Sequence, residues 1–156
     1  MEAEMNAELR DGGTLVIQGV LGNTPQAVTL ALHQVRAHLD RRPPFSDLDL
    51  SWEIVVAEVL NNIVEHAYAD GCAGTISLHL TFRPDSLRAE FRDTGVAMPG
   101  HTPPKGMAAN LDVPIADLPE GGFGWHLIRT LVTDLDYSCT EGTNRLALEM
   151  LLSHAS

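Results

Sequence analysis

The chain has 156 residues, 44% hydrophobic and 20% charged, and a formal net charge of −11 with only 10 Lys and Arg. This fits one globular domain able to bury a core without a metal or disulfide staple, and it argues against a protein that grips nucleic acid or an anionic membrane with basic side chains. Cys72 and Cys139 lack a disulfide or zinc framework, no apolar run approaches the roughly 18–20 residues of a bilayer span, and the acidic start is no secretory signal; the expected location is the cytoplasm.

Residues 1–12 are expected to fray. Thr14-Leu-Val-Ile-Gln-Gly-Val20 is short, β-branched and partly alternating, which predicts a first strand. Thr24-Pro25 then supplies an N-cap and a first-turn proline, and Val28, Leu32, Val35 and Leu39 repeat at helical spacing as far as Asp40. Arg41-Arg-Pro-Pro44 closes that helix. Asp49 or Ser51 can cap a second one running to about Tyr68, before an Asp70-Gly71 turn.

After Gly74 the period changes to two. Ile76, Leu78, Leu80 and Phe82, then Leu87, Ala89 and Phe91, alternate with polar residues around Pro84-Asp85-Ser86, predicting a hairpin with one buried face. Five of the nine prolines fall between Val96 and Glu120, and a loop that long in a small domain is usually functional or disordered. Leu127, Ile128, Leu131, Val132 and Leu135 mark a further helix, followed by strands near Leu135 to Cys139 and Asn144 to Leu152. The order predicts a two-layer α/β sandwich with a mixed, mostly antiparallel sheet and helices on one face.

Three segments carry chemistry. In the second helix Glu58, Asn62 and His66 recur every fourth residue, which stacks them on one stripe beside an apolar arc of Val55, Val56, Val59, Leu60, Ile63 and Ala67. Such a polar row alone is most often a solvated face. Phe91-Arg-Asp-Thr-Gly95 places an acid and a glycine where a strand enters a loop; a carboxylate there can accept from an exocyclic amine, although turns use the same pair. Glu120-Gly-Gly-Phe-Gly-Trp125 opens an amphipathic helix with unpaired N–H groups at the positive end of its dipole, a ready phosphate cradle. It is neither a Walker loop nor a dinucleotide-binding fingerprint.

Together and in this order, the Glu-x3-Asn-x3-His helix, the Asp-x-Gly after a strand and the Gly-x-Gly opening a helix resemble the Bergerat-fold, histidine-kinase-like ATPases. The small size, the Asn-x3-His-Ala-Tyr ending of the first motif and Gly121-Gly-Phe-Gly-Trp-His-Leu-Ile-Arg129 look most like the bacterial anti-sigma-factor serine/threonine kinases within that superfamily. The resemblance covers the chain from about Thr24 onward.

It implies a single ATP-binding kinase domain over residues 1–156, with residues 96–121 as an ATP lid. Asn62 would bind Mg²⁺ bridging the nucleotide phosphates, and Glu58 would act as general base on the attacking hydroxyl. Asp93 would read the adenine amine, Gly95 would let the ring pack closely, and Gly122 and Gly124, with Phe123 between them, would bind phosphate. Thr143 matches the place of a threonine near adenine, and His66 and Lys105 would support the phosphate site, Lys105 and His101 being the basic groups of the lid. Arg92 and Arg129 are further cations that transfer could use.

The implied cofactors are ATP and Mg²⁺. The implied partners are a small anti-anti-sigma protein as substrate and a sigma factor held inactive, with no direct nucleic acid and no membrane; a homodimer is compatible with the pattern. Two alternatives stand beside this reading. One is a nucleotide-dependent sequestering module with little catalysis. The other is the ATP-binding half of a sensor histidine kinase, against which His33 and His38 lack both a following acid and a second long helix.

Overall fold

The computed structural model of the chain describes residues 2–67, 74–98 and 122–154. Six strands form one sheet: β1 (Ala3–Arg10), β2 (Thr14–Gly22), β3 (Thr75–Arg83), β4 (Ser86–Asp93), β5 (Asp134–Thr140) and β6 (Thr143–Leu151), in the spatial order β1-β2-β3-β4-β6-β5. Three α-helices accompany them: α1 (Pro25–Asp40), α2 (Ser51–Asn62) and α3 (Gly122–Leu131). The sandwich is as the sequence predicts, but the described sheet is wholly antiparallel rather than mixed. Sequence neighbours β1/β2, β3/β4 and β5/β6 join by short turns, and β2 returns as β3 through two helices, which brings the chain back in the opposite sense.

The expectation that residues 1–12 fray is corrected. Ala3–Arg10 pairs along its length with β2, from Ala3 opposite Leu21 to Arg10 opposite Thr14. Met5 is buried, and Ala3 and Ala7 pack against the core. The alternation of apolar residues is present, but two of them are alanines, whose small area hides the signal amid Glu and Asn.

Strand alternation sends Leu15, Ile17 and Leu21, then Ile76, Leu78, Leu80 and Phe82, then Leu87, Ala89 and Phe91, then Leu146, Leu148 and Met150 into the core. The helices contribute Val28, Val35 and Leu39 of α1, Val55, Val56, Val59 and Leu60 of α2, and Trp125 and Ile128 of α3, all buried. Trp52 meets Phe82 edge-on at 5.6 Å between ring centroids. The Arg36 guanidinium of α1 lies 5.7 Å above the Trp52 ring and pairs with Glu53 at 2.7 and 3.2 Å, tying α1 to α2.

The start of α1 follows the sequence, whereas the N-cap position of α2 is Leu50, without a side-chain cap bond, rather than Asp49 or Ser51. Thr24 Oγ1 accepts the Ala27 N–H at 3.1 Å with Pro25 behind it, and Asp49 Oδ1 accepts both the Ser51 N–H and its hydroxyl, holding that carboxyl below the usual carboxylate range. At the β5–β6 turn Glu141 and Gly142 both have positive φ, 53° and 78°, the backbone a tight two-residue hairpin requires. No helix among the described residues is long and apolar enough to cross a membrane.

Candidate functional site

Glu58 and Asn62 lie one turn apart on α2, both half-buried, beside the apolar arc that packs into the core. The Asn62 carboxamide is anchored: its Nδ2 donates to the Glu58 carbonyl at 2.7 Å. That bond assigns the amide, leaving Oδ1 as the oxygen available to a ligand. Glu58 makes no ion pair among the described residues.

The predicted helix does not stay α-helical to Tyr68. From Ile63 to Ala67 it widens into a π turn that carries His66. His66 is exposed, 3.8 Å from the Glu65 carboxylate. Single π turns inside α-helices frequently mark functional sites. Tyr68 and the Asp70-Gly71 turn lie outside the described residues.

Asp93 is the last residue of β4 and continues the inward row of Leu87, Ala89 and Phe91. It is 7% exposed, and opposite it in the β4–β6 ladder stands Asn144, 3% exposed; these are the two buried polar side chains among the described residues. Asn144 Nδ2 donates to Asp93 Oδ1 at 2.8 Å and to the Gly95 carbonyl at 3.0 Å, while the Gly95 N–H donates to the same Oδ1 at 2.9 Å. Burial pushes the Asp93 carboxyl above its usual range, and the bonds from Asn144 and Gly95 only partly offset this. On the far side of Asn144, its Oδ1 accepts the Tyr137 hydroxyl at 3.0 Å, which in turn accepts the Met98 N–H at 3.0 Å.

Gly95 is needed for a reason the sequence did not disclose. A Cβ there would overlap the Ala67 carbonyl and lie 2.7 Å from the Ala67 Cβ, and that carbonyl accepts the Val96 N–H at 2.7 Å. The end of the Glu58 helix and the Asp93 turn are therefore in direct contact. Gly122, Phe123 and Gly124 are the first described residues of α3. α3 packs against α2.

A family model for the histidine kinase-like ATPase domain matches residues 21–150. The chain belongs to this ATPase family. It is also similar to curated proteins named serine-protein kinase RsbW. The Bacillus mycoides (strain KBAB4) protein is 32% identical over 91 residues, and that of Bacillus cereus (strain ATCC 10987 / NRS 248) is 31% identical over 91 residues. Each match covers 58% of this chain and 56% of the relative. The chain thus spans little more than half the length of the curated relatives it matches.

The Gly95–Ala67 contact joins the Asp93 turn to the end of the helix that carries Glu58 and Asn62, and α3 packs against α2. Thr143 opens β6 opposite Thr140 and falls on the alternate phase from Asn144, so it is Asn144 that meets Asp93. Lys105, His101 and the lid beyond Met98 lie outside the described residues. Arg92 is directed to the other face of the sheet, where its Nε bonds Glu90 at 2.6 Å and the guanidinium of Arg145 joins the same carboxylate at 3.1 Å; it does not serve the Asp93 side. Arg129 is exposed in the last turn of α3.

Asn144 and Tyr137 are the residues sequence reading missed. The signal existed: counting back by two from Met150, Leu148 and Leu146 lands on Asn144, a polar residue in a buried row. No group of three or more His, Cys, Asp or Glu among the described residues forms a metal cage. A Mg²⁺ held by one carboxamide oxygen and the phosphates of a nucleotide needs no such cage, and the anchored Asn62 fits that role.

Proposed function

We propose that the chain is an ATP-binding serine/threonine-protein kinase of the anti-sigma-factor type, acting on a small anti-anti-sigma protein and through it on a sigma factor. The observation that carries the reading is Asp93: a buried carboxylate, oriented by two donors, at the end of a core strand and in contact through Gly95 with the helix that bears Glu58 and Asn62. A carboxylate so placed accepts a hydrogen bond from an exocyclic amine and rejects a keto oxygen. The RsbW relatives support the kinase class.

In this reading Asn62 would hold Mg²⁺, which would supply charge neutralisation at the nucleotide phosphates. The N–H groups at the start of α3 hold phosphate oxygens, with Gly122 and Gly124 leaving the backbone uncovered and Phe123, Lys105, His66 and Thr143 as further candidate contacts. Glu58 takes the proton of the partner's Ser or Thr hydroxyl as its oxygen bonds the γ-phosphorus and the bond to the β–γ bridging oxygen breaks. The site needs nothing from the membrane, and the cytoplasm, where ATP and sigma factors meet, is the matching compartment.

Two observations favour the silent sequestering alternative enough to keep it: Arg92 is turned to the far face of the sheet, and no His, Lys or Arg forms a hydrogen bond or ion pair with Glu58, Asn62 or Asp93 among the described residues. The sensor-kinase alternative is disfavoured by His38, whose Nε2 lies 3.1 Å from the Met5 carbonyl.

One experiment separates these. The full chain is titrated with ATP with and without Mg²⁺, as wild type and Asp93→Asn, and γ-phosphate transfer to an anti-anti-sigma domain is followed with wild type and Glu58→Ala. Mg²⁺-dependent binding lost in Asp93→Asn, with transfer lost in Glu58→Ala, supports the kinase. Binding without transfer leaves the sequestering module, and Asp93-independent binding removes the site.

A further inference from the structure

The hydrogen bonds behind Asp93 have a forced direction. The Met98 N–H can only donate, so the Tyr137 hydroxyl that accepts it at 3.0 Å sends its own proton to Asn144 Oδ1, also at 3.0 Å. With Oδ1 turned to Tyr137, Asn144 must present Nδ2 to Asp93 Oδ1 and to the carbonyls of Gly95 and Val96, at 2.8, 3.0 and 3.4 Å. A flipped amide would set an acceptor against three acceptors. Asp93 Oδ1 is then occupied twice, by Asn144 and by the Gly95 N–H.

From this arrangement we propose that Tyr137 and Asn144 are positioning residues for base selectivity: the relay from the Met98 N–H through the Tyr137 hydroxyl and the Asn144 carboxamide holds Asp93 as an acceptor for an amine-bearing purine edge. The inference rests on the reading of Asp93 as the base-binding carboxylate. A buried carboxyl freed of its donors drifts toward the protonated acid, and that acid has a proton to give to a keto oxygen. Removing the Tyr137 hydroxyl leaves Asn144 Oδ1 without its donor, so the carboxamide is held on one side only, and a loosened Asn144 supports the ionised, acceptor-only state less well. Discrimination between adenine and guanine nucleotides falls as a result, while neither Tyr137 nor Asn144 need touch the ligand's reacting atoms.

The test uses the full chain as wild type, Tyr137→Phe, Asn144→Leu and Asp93→Asn. Affinities for ATP and GTP are measured by calorimetry, and backbone amide exchange of Gly95 and Met98 is measured without nucleotide. Tyr137→Phe keeps the ring in place and is expected to lower the ATP-over-GTP preference about tenfold, the scale of one hydrogen bond to a charged group. It should also speed exchange at both Met98 and Gly95. Asn144→Leu should speed Gly95 while sparing Met98, whose acceptor remains; if that variant does not fold, Tyr137→Phe alone decides.

An Asp93-dependent ATP site whose preference and Gly95 exchange ignore Tyr137→Phe overturns the relay and leaves the nucleotide reading standing. ATP binding that is absent in wild type, or unchanged in Asp93→Asn, overturns the nucleotide reading and the selectivity claim with it.

Discussion

Gly95 lies against Ala67 with no room for a side chain, since a Cβ at 95 would stand 2.7 Å from the Ala67 Cβ and overlap the carbonyl that accepts the Val96 N–H. The two sequence motifs thus meet backbone to backbone, and the position of Asp93 relative to Asn62 is set there. Gly95→Ala is expected to force the π turn and the Asp93 loop apart, costing about 1–3 kcal/mol as overpacking does. Urea unfolding measures the loss, and ATP affinity should fall further than stability alone explains; a variant of wild-type stability and affinity would show that the contact yields freely.

The buried Asp93 makes a pH prediction of definite sign. Its folded-state carboxyl is pushed above the ordinary 3.8 by burial, so between that value and the raised one the native state holds more protons than the unfolded chain, and stability falls as pH rises through the window. Above the raised value the full cost of the buried charge is present. Asp93→Asn keeps an oxygen for the Gly95 and Asn144 donors and removes that charge, so at neutral pH its unfolding free energy is expected to equal or exceed wild type while ATP binding is lost. Glu90 works in the opposite sense. Burial raises it, but bonds from Arg145 and Arg92 outweigh this and hold it below 4.5, so its contribution is present at neutral pH and lost on acidification below that value. Unfolding curves from pH 3 to 8 for both proteins check the pair; a large loss of stability in Asp93→Asn at neutral pH would contradict the sign.

The long-period features of the fold were legible in the sequence because each buried row is large and regular: Ile76 to Phe82 and Leu87 to Phe91 alternate without a break, and Thr24-Pro25 punctuates α1. The edge strand was not, because Ala3 and Ala7 bury too little to stand out from Glu4, Asn6 and Glu8. The placement of Glu58 and Asn62 one turn apart on α2 was legible by spacing, whereas the π turn that carries His66 was not; its last residue, Ala67, lies against the Gly95–Val96 backbone, a contact between segments far apart in sequence. Thr143 comes from the family pattern; Asn144 beside it is legible from strand alternation, as the next inward position of the row of Met150, Leu148 and Leu146.

A second missed device protects β1. Its odd-numbered residues turn their backbone groups away from β2, and at an edge strand such groups invite pairing with another chain. The Gln34 carboxamide of α1 closes part of that edge, accepting the Met5 N–H at 2.7 Å and donating to the Ala3 carbonyl at 3.1 Å, and His38 Nε2 reaches the Met5 carbonyl. Gln34→Leu leaves both backbone groups without that partner and is expected to cost about 1–3 kcal/mol. Thermal unfolding and amide exchange at Met5 measure it, and concentration-dependent association of the variant would show the edge in use. Unchanged Met5 exchange would mean that the amide carries nothing.

Glu58 and Asn62 are neighbours on one helix, yet their roles are separable by mutation. The bond between them runs from the Asn62 side chain to the Glu58 backbone carbonyl, so changing the Glu58 side chain leaves the Asn62 anchor in place. Glu58→Gln is therefore expected to keep wild-type Mg²⁺-dependent ATP affinity while phosphate transfer falls by about 10²–10⁴, the usual worth of a general base. Asn62→Ala, in contrast, removes the oxygen donor and should abolish the Mg²⁺ dependence of ATP binding, at a stability cost of about 0.5–1.5 kcal/mol for the one hydrogen bond lost. Calorimetric titration with and without Mg²⁺, beside a transfer assay, reads both variants. Equal effects on binding from the two substitutions would mean that the pair acts as a unit in holding nucleotide, and Glu58 would lose its claim to a separate chemical role.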